Sequence, residues 1–320
     1  MHINHPGFTS RIEKLGTVIL RSRQEDGSIL TVEADIEPFS EELSVGRRHV
    51  VCPANSWHPD LLFGTPAIQF NTAKQFELSL SRYGVRSPGG KWVYANTLFA
   101  EAMQPFHVQD FEDNGYSLRR EQGAVYFTEP VIVPVLYGPH EHEPGKVIPW
   151  MSYIPSELVQ QRNQLRHAKG KVVIGGYGMG WFTDRVLNRP EVTDVTVVEA
   201  CTELMDWYGH DRVEKKRKDL ARAGRDVKVS VVLSDLFAYM EAQSIRDDVT
   251  YLLDIWPYFQ DAMFDGRLIR QLIRGHRIHA WGLPGMIAAN PRKWLNYLRK
   301  APHDPTGRAR LDHDHAVKEF

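Results

Sequence analysis

The chain has 320 residues, 42% of them hydrophobic and 25% charged, which supplies a large core and room for about two domains. Its 39 Lys and Arg against 40 Asp and Glu give a formal net charge of −1, so overall charge does not point to a nucleic-acid binder. Only Cys52 and Cys201 are present, in no C-x-x-C arrangement, and no apolar run approaches ~18 residues, which argues against a disulfide framework, a thiolate zinc site and a membrane-spanning helix.

The opening residues, MHINHPGFTSRIEK, carry no apolar leader-like stretch, so a soluble, cytoplasmic protein is expected. Residues 17–20 and 28–36 flank Asp26-Gly27, a turn signal that predicts a β-hairpin. Residues 124–127 and 131–136 continue the β bias, and Pro134, lacking an N–H, predicts a strand at a sheet edge. The turn-rich stretch 137–145, YGPHEHEPG, is the expected end of this region, so residues 1–145 read as a smaller, β-rich domain. Within it His140, Glu141, His142 and Glu143 are ligand types for zinc or iron. Adjacent residues in a turn do not converge as helical i, i+4 residues do, and no metal site is expected.

The pattern changes after residue 145. A helix is predicted over 156–167, and then Lys171 opens KVVIGGYGMGW, the most informative segment of the chain. Val172, Val173 and Ile174 form the continuous apolar run of a parallel strand covered on both faces. Gly176, Gly178 and Gly180 then follow as G-x-G-x-G. Without a Cβ they permit positive φ and a close backbone approach to a ligand, and the helix predicted over 181–187 offers unpaired N–H groups. A dinucleotide fingerprint would need Gly or Ala at 181, where Trp181 stands, and a phosphate loop would need Lys-Ser/Thr where Trp181-Phe182 stands.

A second strand, 195–198, ends in Glu199, which lies 199 − 176 = 23 positions beyond Gly176, near the ~20-residue offset of a ribose-binding acid. The alternative reading is that Glu199 caps a helix predicted over 202–208. A third strand, 227–233, ends in Ser234-Asp235-Leu236-Phe237, where Asp235 is also a natural N-cap for a helix over 236–242. A fourth strand, 249–253, ends in Asp254-Ile255-Trp256-Pro257-Tyr258. A helix over 260–274, a fifth strand over 277–283, a helix over 291–299 and a polar tail, 301–320, complete the chain. This alternation predicts an α/β fold with a doubly wound, mostly parallel sheet over 146–300, its ligand crevice at the carboxyl ends of the strands.

The G-x-G-x-G turn, the following acid and the Asp254–Tyr258 segment together resemble class I S-adenosylmethionine-dependent methyltransferases. The resemblance implies a Rossmann-like methyltransferase core and S-adenosyl-L-methionine as cofactor. In that family the turn, here Gly176, Tyr177, Gly178 and Gly180, passes under the methionine part; the acid, here Glu199, takes the ribose hydroxyls. An Asp, here Asp235, contacts the adenine amine, and the next backbone N–H, that of Leu236, meets the ring. Asp254 and Tyr258 are the corresponding acceptor-side residues, with Asp254 the stronger candidate for catalysis. The segment departs from the N/D-P-P-Y form of amino-group methylases, since Ile255-Trp256 stands where Pro is expected, so the acceptor, small molecule or macromolecule, is not identified. The family's core ends in an antiparallel hairpin, for which the residues after Lys300 are too polar; either the N-terminal region supplies those strands or the sheet is short.

Spermidine synthase-type aminopropyltransferases, which also place a β-rich domain before this core, use a D-x-x-D-P turn; here Pro257 occupies the place of the second acid. A cofactor-binding module without catalysis is the other alternative. Charge is unevenly spread: residues 1–150 carry 13 Lys and Arg against 18 Asp and Glu, whereas 266–310 carries ten basic residues and one acid, Asp304. That segment is a candidate nucleic-acid surface, with Arg267, Arg270 and Arg274 sharing one helix face.

Overall fold

The computed structural model describes residues 4–5, 8–14, 16–23, 27–40, 43, 48–99, 106–113, 118–140, 143, 145–244, 246–256 and 265–281. The chain divides into two compact units, residues 1–112 with 120–162, and residues 113–119 with 163–320. This division falls at Arg162 and Asn163, inside the helix Pro155–Leu165, and not at residue 145. Part of the expected linker is regular structure: Tyr137, Gly138 and Pro139 belong to a strand, and His140 and Glu143 close the turn that follows it, Glu143 N–H donating to His140 Nδ1 at 3.1 Å.

The first unit is β-rich, as its alternating sequence predicts. Strands β1 (Asn4–His5), β2 (Phe8–Lys14), β3 (Thr17–Arg23), β4 (Ile29–Ile36), β5 (His49–Cys52), β8 (Phe106–Asp113) and β9 (Leu118–Phe127) form a seven-stranded sheet in the order β1-β2-β3-β4-β5-β9-β8. The predicted hairpin is β3–β4, antiparallel with Arg23 opposite Ile29, and Gly27 in its loop has φ 82°. A second sheet has the order β11-β10-β7-β6, from β6 (Val85–Arg86), β7 (Val93–Phe99), β10 (Val131–Pro139) and β11 (Val147–Ser152); helix α1 is Ala73–Tyr83.

Pro134 therefore lies in an internal strand, contrary to the edge expected. The physical reason lies in the length of β11. That strand ends at Ser152, opposite Val135, so Pro134 stands one residue past the last strand pair, where its missing N–H costs at most the terminal bond of the ladder; its carbonyl still accepts from Tyr153 N–H at 3.0 Å.

The second unit holds the predicted α/β core. After α2 (Pro155–Leu165) come β12 (Gly170–Gly175), α3 (Trp181–Asn188), β13 (Val192–Glu199), α4 (Thr202–Leu204), a π turn (Met205–Gly209), α5 (His210–Arg222), β14 (Lys228–Leu233), α6 (Leu236–Ala242), β15 (Val249–Leu253), α7 (Gly266–Ile273) and β16 (Arg277–Ala280). The sheet order is β14-β13-β12-β15-β16 and all four pairings are parallel. The chain thus winds outward from β12 through β13 to β14, returns to β15 on the other side of β12, and leaves a crevice at the carboxyl ends of β12 and β15. Among the described residues the sheet has five strands, and the N-terminal strands pair in their own sheets. The helix expected over 202–208 continues through the π turn to Arg222. The helix over 291–299 and the tail, 301–320, lie outside the described residues. Among the described residues no helix is long and apolar enough to cross a membrane.

The β-branched runs that predicted these strands also build the core. Val173, Val198, Tyr251, Leu253, Ile278 and Ala280 of the sheet pack with Leu236, Phe237 and Met240 of α6 and Leu268 of α7. Fully burying Met240 and Leu268 contributes roughly 1.5–3 kcal/mol each.

At the amino end of β16, His276 is buried, with neither ring nitrogen hydrogen-bonded among the described residues. Burial, reinforced by the Arg274 charge, holds its imidazole below its ordinary pKa. Above about pH 6.5 the folded and unfolded chains are both neutral at this residue; below it the unfolded chain gains a proton that the folded one resists. Stability should therefore fall as pH drops from about 6.5 toward the folded-state pKa, and His276→Phe should flatten this dependence in urea titrations at pH 5–7.5. A parallel pH slope in the variant would assign the effect to other groups.

Candidate functional site

The glycine turn stands at the carboxyl end of β12, between its neighbours. Gly176 N–H donates to Val198 O of β13 at 2.9 Å, and Gly175 O accepts from Asp254 N–H, just past β15, also at 2.9 Å. Gly176, Gly178 and Gly180 all have positive φ, at 86°, 53° and 87°, as the sequence pattern requires. Close packing demands glycine as well: a Cβ on Gly176 would strike the Asp254 carbonyl, and one on Gly175 would strike the Leu236 side chain. Gly175, unmarked by the motif, is thus constrained by space, though not by φ.

Glu199 terminates β13 and is 8% exposed. Its Oε2 accepts the Tyr177 N–H at 2.8 Å, from within the glycine turn, and its Oε1 accepts the Cys201 N–H at 2.7 Å, at the N-cap of α4. The ribose and capping readings of the sequence therefore concern one side chain that ties three elements together. Each carboxylate oxygen accepts through two lone pairs, so a backbone N–H on each leaves capacity for a ligand's hydroxyls.

Tyr208 is a site residue that the motif did not reveal. The π turn carries it under the glycine turn, where its hydroxyl donates to Gly178 O at 2.7 Å. Burial, then the neighbouring Tyr177 and Glu199, push its pKa well above the ordinary phenol value, so it remains a neutral donor. Gly209 leaves room for the Met205 thioether, whose Sδ would lie 2.6 Å from a Cβ there. Arg212 of α5 pairs with Asp184 of α3 at 2.9 Å, joining the helices on either side of β13 in sequence.

On the β14 side, Asp235 is the N-cap of α6, its Oδ1 accepting the Ala238 N–H at 2.9 Å, while its Oδ2 faces Arg267 Nη1 at 3.4 Å. Its side chain is 53% exposed. Leu236 is buried, and as first residue of α6 its N–H has no acceptor within the helix. The described part of the basic segment is partly neutralised: Arg267 pairs with Asp265 and Asp235 and Arg270 with Glu241, whereas Arg274 donates to the uncharged Gln271.

On the β15 side, Asp254 follows the last strand residue, its backbone pinned to Gly175. Trp256 closes the core, packed with Phe237 and Leu268, with Nε1 donating to Asp265 Oδ2 at 3.2 Å. Tyr258 lies outside the described residues. The structure thus brings Gly176, Tyr177, Gly178, Glu199 and Asp254 to one end of adjacent strands β13, β12 and β15, with Asp235 and Leu236 beside them at the end of β14.

No family model and no curated protein matches the chain. Among solved structures, Trm5b from Pyrococcus abyssi matches 62% of this chain and 54% of its own at 14% sequence identity, with a TM-score of 0.30. The chain spans about half the length of that protein.

The clamp at Glu199 has a measurable consequence. Glu199→Gln keeps the shape but can offer an acceptor to only one of the two N–H groups, presenting an NH2 to the other. It should cost about 1–3 kcal/mol in urea unfolding, comparable to Glu199→Ala, because a buried donor is left unmet in both. A Glu199→Gln protein as stable as wild type would show that the carboxylate does not hold the turn.

Proposed function

We propose that the α/β unit, over about residues 146–300, binds S-adenosyl-L-methionine and transfers its methyl group to an acceptor nucleophile. One observation carries this reading: a glycine turn with three positive-φ residues sits at the point where strand order reverses, and the acid ending the next strand reaches back to its Tyr177 N–H. The residues fit the cofactor. The turn lets a ligand approach the backbone at Gly176 and Gly178. Glu199 has acceptor capacity for two ribose hydroxyls, and Asp235 with the Leu236 N–H offers an acceptor and a donor to an adenine edge.

When bound, S-adenosyl-L-methionine would supply an electrophilic methyl group on a sulfonium. The protein's part is to position the two reactants and exclude competing water. Asp254, beside Gly175 at the crevice, orients the acceptor or takes its proton, and Tyr258 is the second acceptor-side residue. A dinucleotide reading is disfavoured because Trp181 is buried where a small residue is needed, and an aminopropyltransferase because Pro257 replaces the second acid. The membrane-free, cytoplasmic setting and a nucleic-acid acceptor engaged through 266–310 remain proposals of the sequence; the arginine pairings above reduce the charge available for the latter.

Calorimetry on the full chain should show micromolar-range binding of S-adenosylmethionine and S-adenosylhomocysteine. Gly178→Val should abolish it, since a β-branched residue at φ 53° costs ~1–2 kcal/mol and intrudes on the ligand. Tighter binding of decarboxylated S-adenosylmethionine would favour the aminopropyltransferase, and binding of NAD alone would sink both.

Asp254→Asn should retain cofactor affinity and melting temperature while lowering methyl transfer about 10²-fold, read as label passed from radioactive S-adenosylmethionine to fractionated cell extract. Undiminished transfer would remove Asp254 from the mechanism.

A further inference from the structure

β14 is the outermost strand of the core sheet, and among the described residues it pairs only with β13. Ser234 N–H donates to Glu199 O of β13, so the even-numbered residues of this strand turn their backbone groups inward and Val229, Val231 and Leu233 turn theirs outward. The side chains of these three share one face, beside Val195, Val197 and Glu199 in register, while Val232 packs on the other face against the core under α6 and α7. Burial falls away across this edge. Val195 and Val197 are buried, Val229 and Val231 are half-buried, and Leu233 is 46% exposed.

Sheet edges are ordinarily blunted by a charge, a proline or a bulge. From Val229 to Leu233 the strand has no charge and no proline, and its register is unbroken. Run antiparallel against itself, it is self-complementary. With Val231 opposite Val231, Val229 falls opposite Leu233, so outward backbone meets outward backbone and apolar side chains meet apolar ones. A slip of two residues sets Val229 opposite Asp235 in one direction and Lys228 opposite Val232 in the other. Charge fits the same register. Lys228 is 76% exposed and makes only a long ion pair, to Asp194 at 3.8 Å, among the described residues. It falls opposite Ser234 and next to Asp235 of the second copy, so unlike charges adjoin at both ends and no like pair meets.

We propose that the occupant of this edge is a second copy of the chain, in a two-fold dimer whose antiparallel β14–β14 seam centres on Val231 and joins two five-stranded sheets into one. A two-fold pairing closes on itself, because each copy uses the same edge and none of that edge is left to recruit a third. The seam is independent of the cofactor reading, since it uses neither the glycine turn nor the crevice at β12 and β15.

The test is sedimentation of the full chain over about 1–100 μM, where the mass should rise from 36.7 kDa toward twice that value and no further. Val231→Lys sets ammonium against ammonium on the axis and should raise the dimer dissociation constant about tenfold or more, whereas Val231→Thr should hold it within about threefold. Crosslinking reads the register even if Val231→Lys does not fold. Residues paired on the axis have Cα atoms about 5.5 Å apart, within disulfide reach, while the two copies of residue 229 lie roughly 14 Å apart. Oxidation should therefore yield a covalent dimer from Val231→Cys, and none from Val229→Cys or wild type. A chain that stays monomeric throughout, or a mass that climbs past two chains, would overturn the proposal. So would a dimer unaffected by a folded Val231→Lys, or one whose Val231→Cys crosslink is absent or matched at Val229→Cys.

Discussion

The contact on which the site depends is the Glu199 carboxylate with one oxygen on the Tyr177 N–H and the other on the Cys201 N–H. It forms only because of strand register. Val172 pairs with Val195, Ile174 with Val197 and Gly175 with Val198, so Glu199 arrives one step beyond the end of β12, where the glycine turn begins. A slip of one residue would send its side chain to the other face of the sheet and bury the wrong set of valines. Hydrophobic packing of β12 and β13 thus fixes the register, and the register places an acid against a turn 22 residues earlier in the chain. The Tyr208 hydroxyl on Gly178 O completes the fixation from below, so both a donor and an acceptor of the turn are met by side chains of the segment after β12.

Much of this was legible in the sequence because it is local. Runs such as Val172–Ile174 declare buried strands, glycines declare positive φ, and Asp235 declares a helix start through a hydrogen bond spanning three residues. What was not legible depends on distant partners. Pro134 looked like an edge residue, and only the end of β11 at Ser152 explains its place in an internal strand. Tyr208 looked like the last residue of a short helix, whereas the chain continues through a π turn whose extra residue has no local sequence signature. The stretch 137–145 had the composition of a linker, yet its first three residues are strand and its turn is braced by His140, Glu143 and Lys146.

The basic stripe shows the same limit for charge. Counted along the sequence, Arg267 and Arg270 belong to a segment with a large excess of cations. In the fold their partners come from outside that segment: Asp235 from the end of β14, Asp265 from just before α7, Glu241 from α6. Linear charge density measures potential in an unfolded chain. In the folded one, each carboxylate brought within hydrogen-bond reach cancels most of a guanidinium's field beyond a Debye length of about 8 Å.

Glu199 and Asp235 each do structural work and also occupy positions where a ligand would be bound, and these roles reinforce each other. A carboxylate already held by a backbone N–H has surrendered its rotamer freedom during folding, so a ligand that uses its remaining lone pairs need not cover about 0.5–1.5 kcal/mol of side-chain ordering. The same coupling means that truncating either residue removes a cap or clamp together with a ligand contact, and lost binding then reports instability as readily as lost recognition. Arg267 differs in this respect. Its guanidinium braces Asp265, the N-cap of α7, and reaches Asp235 only at 3.4 Å, so a change there loosens a helix start and leaves the glycine turn and its clamp untouched.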